Sequence, residues 1–599
     1  MAILDKINES SDVKKLNKKE LLELSNEIRE EITSATNRRG GHLSSNLGIV
    51  ETTIALYKVF DFPKDKLVFD VGHQCYTHKI LSGRKKEFSS IRSDGGLSGF
   101  PNKEESEYDV FTTGHAGASI SASLGICSAR DKLGEDYTVV TVVGDGSLVN
   151  GLNFEGITAS NTKPNNLIVI LNDNGMSISK NKNGFYSFLS KSTLSSKYVK
   201  SKRNFKKVFR NSIFTKFFRK VRGLIKRIFN RGKFFEQYGF KYVGVIDGND
   251  LSEMVKVLQK AKYVAKEKAV FLHVSTLKGK GNKQAEEHAD VYHGVAKENR
   301  SGTGVYGTAL SSALNEIIEK DKTVVALTAG MKDGTGLKGV EEVHPKNFVD
   351  VGIAEEYAVT LASGMATGGL KPVVAVYSTF LQRAYDQILH DVCLQGLPVV
   401  FLVDRAGLVG EDGKTHQGVF DISFLSHMPN MHVLSVCSPN ELKDALEYAF
   451  SIKSPVAIRY PKGSASVDSG KKFTDGKWVR VLGDENAEKA VLAVGANMLN
   501  LASEYYELSN KNAVVYNVRS VKPLDTEVLD MLSGKKIITI EENSVIGGFG
   551  SLVSAYYSAK VDTPVYNFGV GDEFVKHGSL ENQLKNCGLT AKDILEKVK

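Results

Sequence analysis

Tryptophan occurs once in this chain of 599 residues and proline only 12 times, which excludes collagen-like and proline-rich architectures. Cysteine is scarce as well. The five, Cys75, Cys127, Cys393, Cys437 and Cys587, are odd in number, and no two have zinc-ligand spacing. They read as reduced thiols in a cytoplasm, not as a disulfide framework. No run of about 18 apolar residues exists to span a membrane. The first residues, MAILDKINESSDVKK, carry charges where a secretory signal needs an apolar stretch. A cytoplasmic protein is therefore expected.

What is present is ordinary globular material in quantity. Apolar residues make up 41% and charged residues 25%, enough to bury sizeable cores. The length predicts roughly four domains, or fewer large ones. The net charge of +9 is localised: residues 197–233 hold 15 Lys and Arg and no acid, leaving 63 basic against 69 acidic residues elsewhere.

The first 60 residues read as helical, with Leu21, Leu24, Ile28 and Ile32 on one face. β-Branched runs such as Tyr137–Val143 and Leu167–Leu171 then alternate with helical stretches. Strands buried on both faces look like this, so a mostly parallel sheet flanked by helices is expected. Further strands are predicted at Thr323–Leu327, Val373–Val376, Val399–Val403 and Val456–Arg459, and again at Ala490–Val494, Ala513–Asn517 and Lys536–Glu541. Boundaries near Ser301–Gly304 and in the polar stretch Gly463–Gly476 divide the chain into three α/β domains, 1–301 (with a basic insert at about 185–235), 302–467 and 468–599.

Open α/β sheets bind ligands at the carboxyl ends of their strands, and the motifs fall there. The strand YTVVTVV ends in Gly144-Asp145-Gly146-Ser147, and LIVIL ends in Asn172-Asp173-Asn174-Gly175-Met176. A hard divalent cation that also holds a diphosphate needs a carboxylate, an amide oxygen and a backbone carbonyl. Asp145, Asn174 and Met176 can supply these, while Gly144 and Gly146 let backbone approach phosphate. Alone, GDG is more simply a turn. With NDN following at a 29-residue interval, the pair resembles a thiamine diphosphate signature.

The likeness then widens. GGHLSSNLG (40–48), FDVGHQCYTHKILSGR (69–84), GLSGFPNKEESEYDVFTTGHAGASISA (96–122), LKGKG (277–281), VGIAEEYAVTLASGMA (351–366), YSTFLQRAYDQILHDVCLQ (377–395), DRAGLVGEDGKTHQGVFDIS (404–423), AIRYPKG (457–463) and VRSVKPLD (518–525) follow one another. In that order they resemble the 1-deoxy-D-xylulose-5-phosphate synthase family of transketolase-like enzymes. The resemblance implies a three-domain, thiamine diphosphate-binding α/β fold. It also implies a homodimer and the condensation of pyruvate with D-glyceraldehyde 3-phosphate to 1-deoxy-D-xylulose 5-phosphate and carbon dioxide. That product feeds isoprenoid, thiamine and pyridoxal synthesis. Thiamine diphosphate and Mg2+ are the implied cofactors.

The resemblance also assigns residues. Asp145, Asn174 and Met176 would hold the metal. His73, Gly114, His115, Ala116, Gly146, Ser147 and Asn174 would line the cofactor, with Phe380 stacking on its pyrimidine. Glu355 would hydrogen-bond the pyrimidine nitrogen, a role suited to a buried carboxyl of raised pKa; the plainer alternative is a first-turn helix carboxylate. His42, His293 and His416 join Glu355 as catalytic candidates, and His42 or His293 could act as general acid towards the new alkoxide. Tyr377, Arg383, Arg405, Asp412, His416 and Arg459 would face substrate. Arg405 and Arg459 would clamp its phosphate, unless they serve as structural ion pairs.

The chain departs from the family pattern at Glu356 and Tyr357 after the catalytic Glu, at Asn282 after LKGKG, at Asn249 in place of a His, and at Ala116-Gly117 in place of a Ser pair. Two alternatives follow: a diverged transketolase-like enzyme with another acceptor, or a non-catalytic cofactor-binding paralogue. In the insert, Ile213, Phe214, Phe217, Phe218, Val221, Leu224, Ile225, Ile228 and Phe229 fall on one helical arc and six cations on the other. A packed surface helix is the plainest reading. Weak contact of 205–233 with an anionic membrane surface is the second. Nucleic acid is not expected, since no base-reading motif is present.

Overall fold

The computed structural model describes residues 2–176, 232–295, 304–463, 465, 470–560 and 563–598. The amphipathic pattern read over 213–229 and most of the basic insert lie outside the described residues. The described residues divide into two compact units, the first drawn from 2–92, 96–176 and 232–295, the second from 93–95 and the described residues after 303.

In the first unit, the helix Lys18–Arg39 is started by Asn17, whose side chain accepts from the Lys19 and Glu20 backbone while Glu20 reaches back, a capping box. Its stripe of Leu21, Leu24, Ile28 and Ile32 is buried as expected. The sheet comprises β1 (Lys66–Phe69), β2 (Val139–Gly144), β3 (Leu167–Asp173), β4 (Lys241–Asp247) and β5 (Val270–Ser275), in the order β1-β2-β3-β5-β4. All pairings are parallel. Every residue of β3 is buried, which is why Leu167–Leu171 within it is an unbroken apolar run.

The second unit holds two sheets. One comprises β6 (Val324–Thr328), β7 (Phe348–Asp350), β8 (Lys371–Tyr377), β9 (Val400–Asp404), β10 (His432–Ser435) and β11 (Val456–Arg459). The other comprises β12 (Val479–Leu482), β13 (Lys489–Val494), β14 (Val514–Asn517), β16 (Lys536–Ser544) and β17 (Val565–Val570), in the order β12-β14-β13-β16-β17. The intervening strand β15 (Ser520–Lys522) leaves its neighbours in sequence and pairs antiparallel with β10, giving the former sheet the order β15-β10-β11-β9-β8-β6-β7. Apart from β15 and β12, these strands run parallel. All five cysteines are free thiols. Among the described residues no helix is long and apolar enough to cross a membrane.

Candidate active site

The first unit carries the metal motif. β2 and β3 are parallel neighbours with Gly144 opposite Asn172. The next residues, Asp145 and Asp173, therefore leave adjacent strand tips, and Asn174 follows. Asp145 is 3% exposed. Burial first, and then the Asp173 carboxylate, push its pKa well above the usual carboxylate range. Its Oδ2 is buried and meets no hydrogen-bond donor. A Cβ built on Gly144 would touch no protein atom within 4 Å, so backbone is open to close approach there. Asn174 Oδ1 accepts from the Met176 N–H at 3.2 Å, a local turn. Asp173 accepts from the Gly175 N–H at 3.1 Å and lies 2.8 Å from His273 Nε2, whose Nδ1 is 2.8 Å from the Tyr242 hydroxyl. Oxygen donors on neighbouring tips, one of them unpartnered, fit a hard cation carrying a diphosphate.

Three of the predicted histidines meet beside this motif. The His42 ring lies 5.5 Å from His73 and 5.5 Å from His293, and His73 lies 5.4 Å from His293, centroid to centroid. Ser45 Oγ is 3.2 Å from His293 Nδ1. Lys278, 3% exposed, joins the site although nothing in its LKGKG context foretells a role for it. Burial lowers its pKa to about 8. Burial, and secondarily the Lys278 charge, lower His73 to about 3 and hold His293 well below its ordinary value. Both rings are thus neutral at pH 7, each offering one donor and one acceptor.

The loop Gly114–Gly117 is fastened to the tip of β1. Asp70 accepts from the Gly117 N–H at 3.0 Å and from the Ser119 N–H at 3.1 Å, at the start of the helix Ser119–Leu133. Gly114 and Ala116 are buried and His115 half-buried. Gly117 has φ 99°, a conformation that favours glycine, so the departure there suits the local backbone. Gly146 and Ser147 are buried in the turn after Asp145, where the Ser147 carbonyl accepts from Asn153 Nδ2 at 3.0 Å. Asn249 is also accommodated. It donates to the Gly48 carbonyl at 2.9 Å and to Glu51 at 3.1 Å, and accepts from the Leu277 N–H at 2.8 Å. Asn282 caps the helix Lys283–Glu287.

The second unit carries the remaining candidates. Asp350, at the tip of β7, accepts from the Gly330 N–H at 2.8 Å and the Gly352 N–H at 3.0 Å, with Gly352 at φ 76°. That turn delivers Glu355 as the first residue of the helix Glu355–Thr367. Glu355 is 5% exposed, and burial pushes its pKa up to about 7, against the opposing Arg383 charge. Arg383 Nε is 4.0 Å from Glu355 Oε2. That oxygen is buried with no hydrogen-bond donor. Of the departures after it, Tyr357 is exposed.

Phe380 stacks on Tyr377 at 5.6 Å, with His416 edge-on to it at 5.5 Å. His416 Nδ1 is 2.9 Å from Thr415 Oγ1. Arg405 lies with its guanidinium 3.7 Å from the Tyr377 ring centroid, a cation–π contact. Its Nη1 donates to Asp404 at 2.6 Å and to the Gly334 carbonyl at 3.2 Å. Asp412 lies 3.5 Å from Lys462 Nζ. Tyr377, Phe380, Arg405 and His416 thus form one cluster, and Arg383 is turned towards Glu355. Arg459 differs from the expectation of a clamp. It is 4% exposed, and its Nε and Nη2 donate to the two Asp421 oxygens at 3.0 and 3.3 Å. The structural ion pair left open as its alternative is what the fold shows, because Asp421 is fully buried and needs a counter-charge.

Three family models match in sequence along the chain. They are 1-deoxy-D-xylulose-5-phosphate synthase at residues 4–276, the transketolase pyrimidine-binding domain at 305–467 and the transketolase C-terminal domain at 477–594. With the parallel sheets above, they define a transketolase-like α/β fold of the class that uses thiamine diphosphate. The 1-deoxy-D-xylulose-5-phosphate synthase of Clostridium tetani is 45% identical over 99% of both chains. That of Carboxydothermus hydrogenoformans is 44% identical, covering 98% of this chain and 97% of its own. This chain belongs to the 1-deoxy-D-xylulose-5-phosphate synthase family. A solved transketolase from Campylobacter jejuni is 16% identical, covers 97% of this chain and 100% of its own, and superposes with a TM-score of 0.43.

Proposed function

We propose that this chain is a transferase that condenses pyruvate with D-glyceraldehyde 3-phosphate, releasing carbon dioxide and forming 1-deoxy-D-xylulose 5-phosphate. It works in the cytoplasm as a homodimer of three-domain chains, at the head of isoprenoid supply and as a source of thiamine and pyridoxal precursors. The observation that carries this reading is Glu355, a carboxyl buried at a helix start, its pKa raised to about 7 and one oxygen without a hydrogen-bond donor. When bound, thiamine diphosphate supplies the electron sink that decarboxylation of a 2-oxo acid requires.

The chain's own residues supply the rest. Asp145, Asn174 and the Met176 carbonyl would hold Mg2+, and Gly146 and Ser147, with His73, Gly114, His115 and Ala116, would receive the diphosphate end of the cofactor. Glu355 would hold a proton at Oε2, available to a ring nitrogen of the cofactor once that is bound. Phe380 provides an apolar face. His42 and His293, kept in one cluster, are placed to give a proton to the alkoxide formed on the aldehyde. Arg405 meets the acceptor phosphate, with Tyr377, Asp412 and His416 around it. Arg459 supports that site from its ion pair.

The test is purified protein with both substrates, with and without thiamine diphosphate and Mg2+, the product read by mass. Failure to form the five-carbon ketose phosphate would sink the proposal. No observation favours the other two readings, since Asn249, Asn282 and Gly117 are all taken up by local hydrogen bonds or backbone geometry.

The two arginines should separate in experiment. Arg405→Ala is expected to raise the Michaelis constant for glyceraldehyde 3-phosphate by about tenfold or more, with little change for pyruvate, since a charge-assisted contact is worth about 1.5–3 kcal/mol. Arg459→Ala is expected to destabilise the fold by about 3–5 kcal/mol, because it strands the buried Asp421 carboxylate. Denaturant unfolding checks the second. A melt unchanged by Arg459→Ala would show that the ion pair is dispensable.

A further inference from the structure

The segment Arg405–Gln417 carries three of the proposed acceptor-site residues, Arg405, Asp412 and His416. Its backbone is not held by its own sheet alone. Glu542, near the end of β16, accepts from the Leu408 N–H through Oε1 at 3.3 Å, while Asn497 Nδ2 donates to its Oε2 at 2.9 Å. Gln583, on the helix Leu580–Asn586 and 2% exposed, holds Gly410 from both sides. Its Oε1 accepts from the Gly410 N–H at 3.0 Å, and its Nε2 donates to the Gly410 carbonyl at 2.9 Å. The same Nε2 donates to the Lys576 carbonyl at 2.8 Å, which fixes the amide's orientation.

The packing around these bonds is close. Gly407 has φ 95°, and a Cβ there would stand 3.0 Å from Glu542 Cβ. Gly413, at φ 70°, would meet His577 Cβ at 2.8 Å. Leu408 and Val419 share a small apolar cluster with Val570 and Val575. Within the segment, Gly407 and Gly418 exchange both backbone bonds, at 2.7 and 2.8 Å, and the Val409 N–H donates to Gln417 at 2.8 Å. Two side chains lying 134 and 173 residues further along the chain thus satisfy backbone groups that would otherwise be buried without partners.

We propose that Glu542 and Gln583 are positioning residues that set the acceptor-binding segment, so that the C-terminal sheet and its helices determine affinity for the phosphorylated aldehyde. This rests on the proposed function above. Neither residue need touch substrate; each acts through Leu408 or Gly410 on the placement of Arg405, Asp412 and His416.

The test uses the full-length enzyme with Gln583→Ala, Glu542→Ala and Glu542→Gln. Each alanine variant removes bonds to buried backbone, so the Michaelis constant for glyceraldehyde 3-phosphate is expected to rise by about tenfold, while that for pyruvate stays within about twofold. Glu542→Gln keeps an acceptor for the Leu408 N–H, and the Asn497 amide can turn to meet the new –NH2 group. It is therefore expected to restore the constant to within about threefold of the parent. Amide exchange without substrate is expected to quicken at Leu408 and Gly410 and to stay unchanged in β8 and β9. Equal rises for both substrates, no rescue by Gln, or unchanged exchange at Leu408 and Gly410 would overturn the proposal. A parent enzyme that forms no ketose phosphate would overturn the functional reading instead, and the exchange measurement tells the two failures apart.

Discussion

Replacing Glu355 with alanine is expected to lower product formation by about 10³-fold or more, the scale of a lost proton-sharing group, with the Michaelis constants little moved. The reason is its setting. Glu355 has left water for a helix start, and burial raises its pKa from 4.5 to about 7. A carboxyl so placed keeps a proton near neutrality and can share it with a weakly basic nitrogen, which an exposed glutamate cannot do. The same burial has a stability signature whose sign can be worked out. Below about pH 4.5 the group is protonated in both the folded and unfolded chain and contributes nothing. Between 4.5 and 7 the unfolded chain loses its proton first, so folding is opposed increasingly as pH rises. Above 7 the full cost is present, about 3 kcal/mol at 1.36 kcal/mol per unit. Glu355→Gln, which removes the charge and keeps the shape, should therefore match the parent in denaturant unfolding at pH 4 and exceed it at pH 8, while lacking activity. A Gln variant that is active, or no more stable at pH 8, would remove the assigned role.

Much of this is legible in the sequence. β2 and β3 were legible because strands buried on both faces are unbroken β-branched runs, and their polar tips therefore stand out. The helix Lys18–Arg39 was legible from its apolar period. Shorter or half-buried strands were not: β7 is Phe-Val-Asp and β15 is Ser-Val-Lys, too brief for any period to show. Site residues divided in the same way. Asp145, Asn174 and Glu355 sit in local motifs. The partners that tune them come from elsewhere in the chain: Asp70 against the 117–119 loop, Lys278 beside the histidines, and Asp350 behind the turn that delivers Glu355. The Arg459–Asp421 pair spans 38 residues and the Gln583–Gly410 pair 173, separations at which spacing carries no signal. Arg405 shows the limit from another side. Its φ of 56° is one that residue type does not foretell.

The metal motif gives the second large effect. Asp145 and Asp173 are buried side by side on adjacent strand tips, and the Asp173 carboxylate adds to the cost of charge on Asp145. Asp173 has His273 Nε2 at 2.8 Å, whereas Asp145 Oδ2 meets no hydrogen-bond donor, and the Lys278 charge offsets only part of the cost of burying that carboxyl. A divalent cation at that oxygen would relieve both carboxylates at once, which is why the arrangement reads as a binding site rather than as a stabilising element. Asp145→Asn should therefore move stability in opposite directions with and without ligand. Free of Mg2+ and thiamine diphosphate, the variant is expected to melt at or above the parent, because the cost of burying an ionisable carboxyl has gone. With both present at a hundredfold over the parent's dissociation constant, the parent should gain about 3 kcal/mol. The variant should gain almost nothing, its affinity for the pair having fallen by about 100-fold or more. Titration calorimetry measures the affinity and thermal unfolding the crossing of the two curves. If Asp145→Asn still bound the magnesium–cofactor pair as the parent does, the strand tips would have to be read as a plain turn.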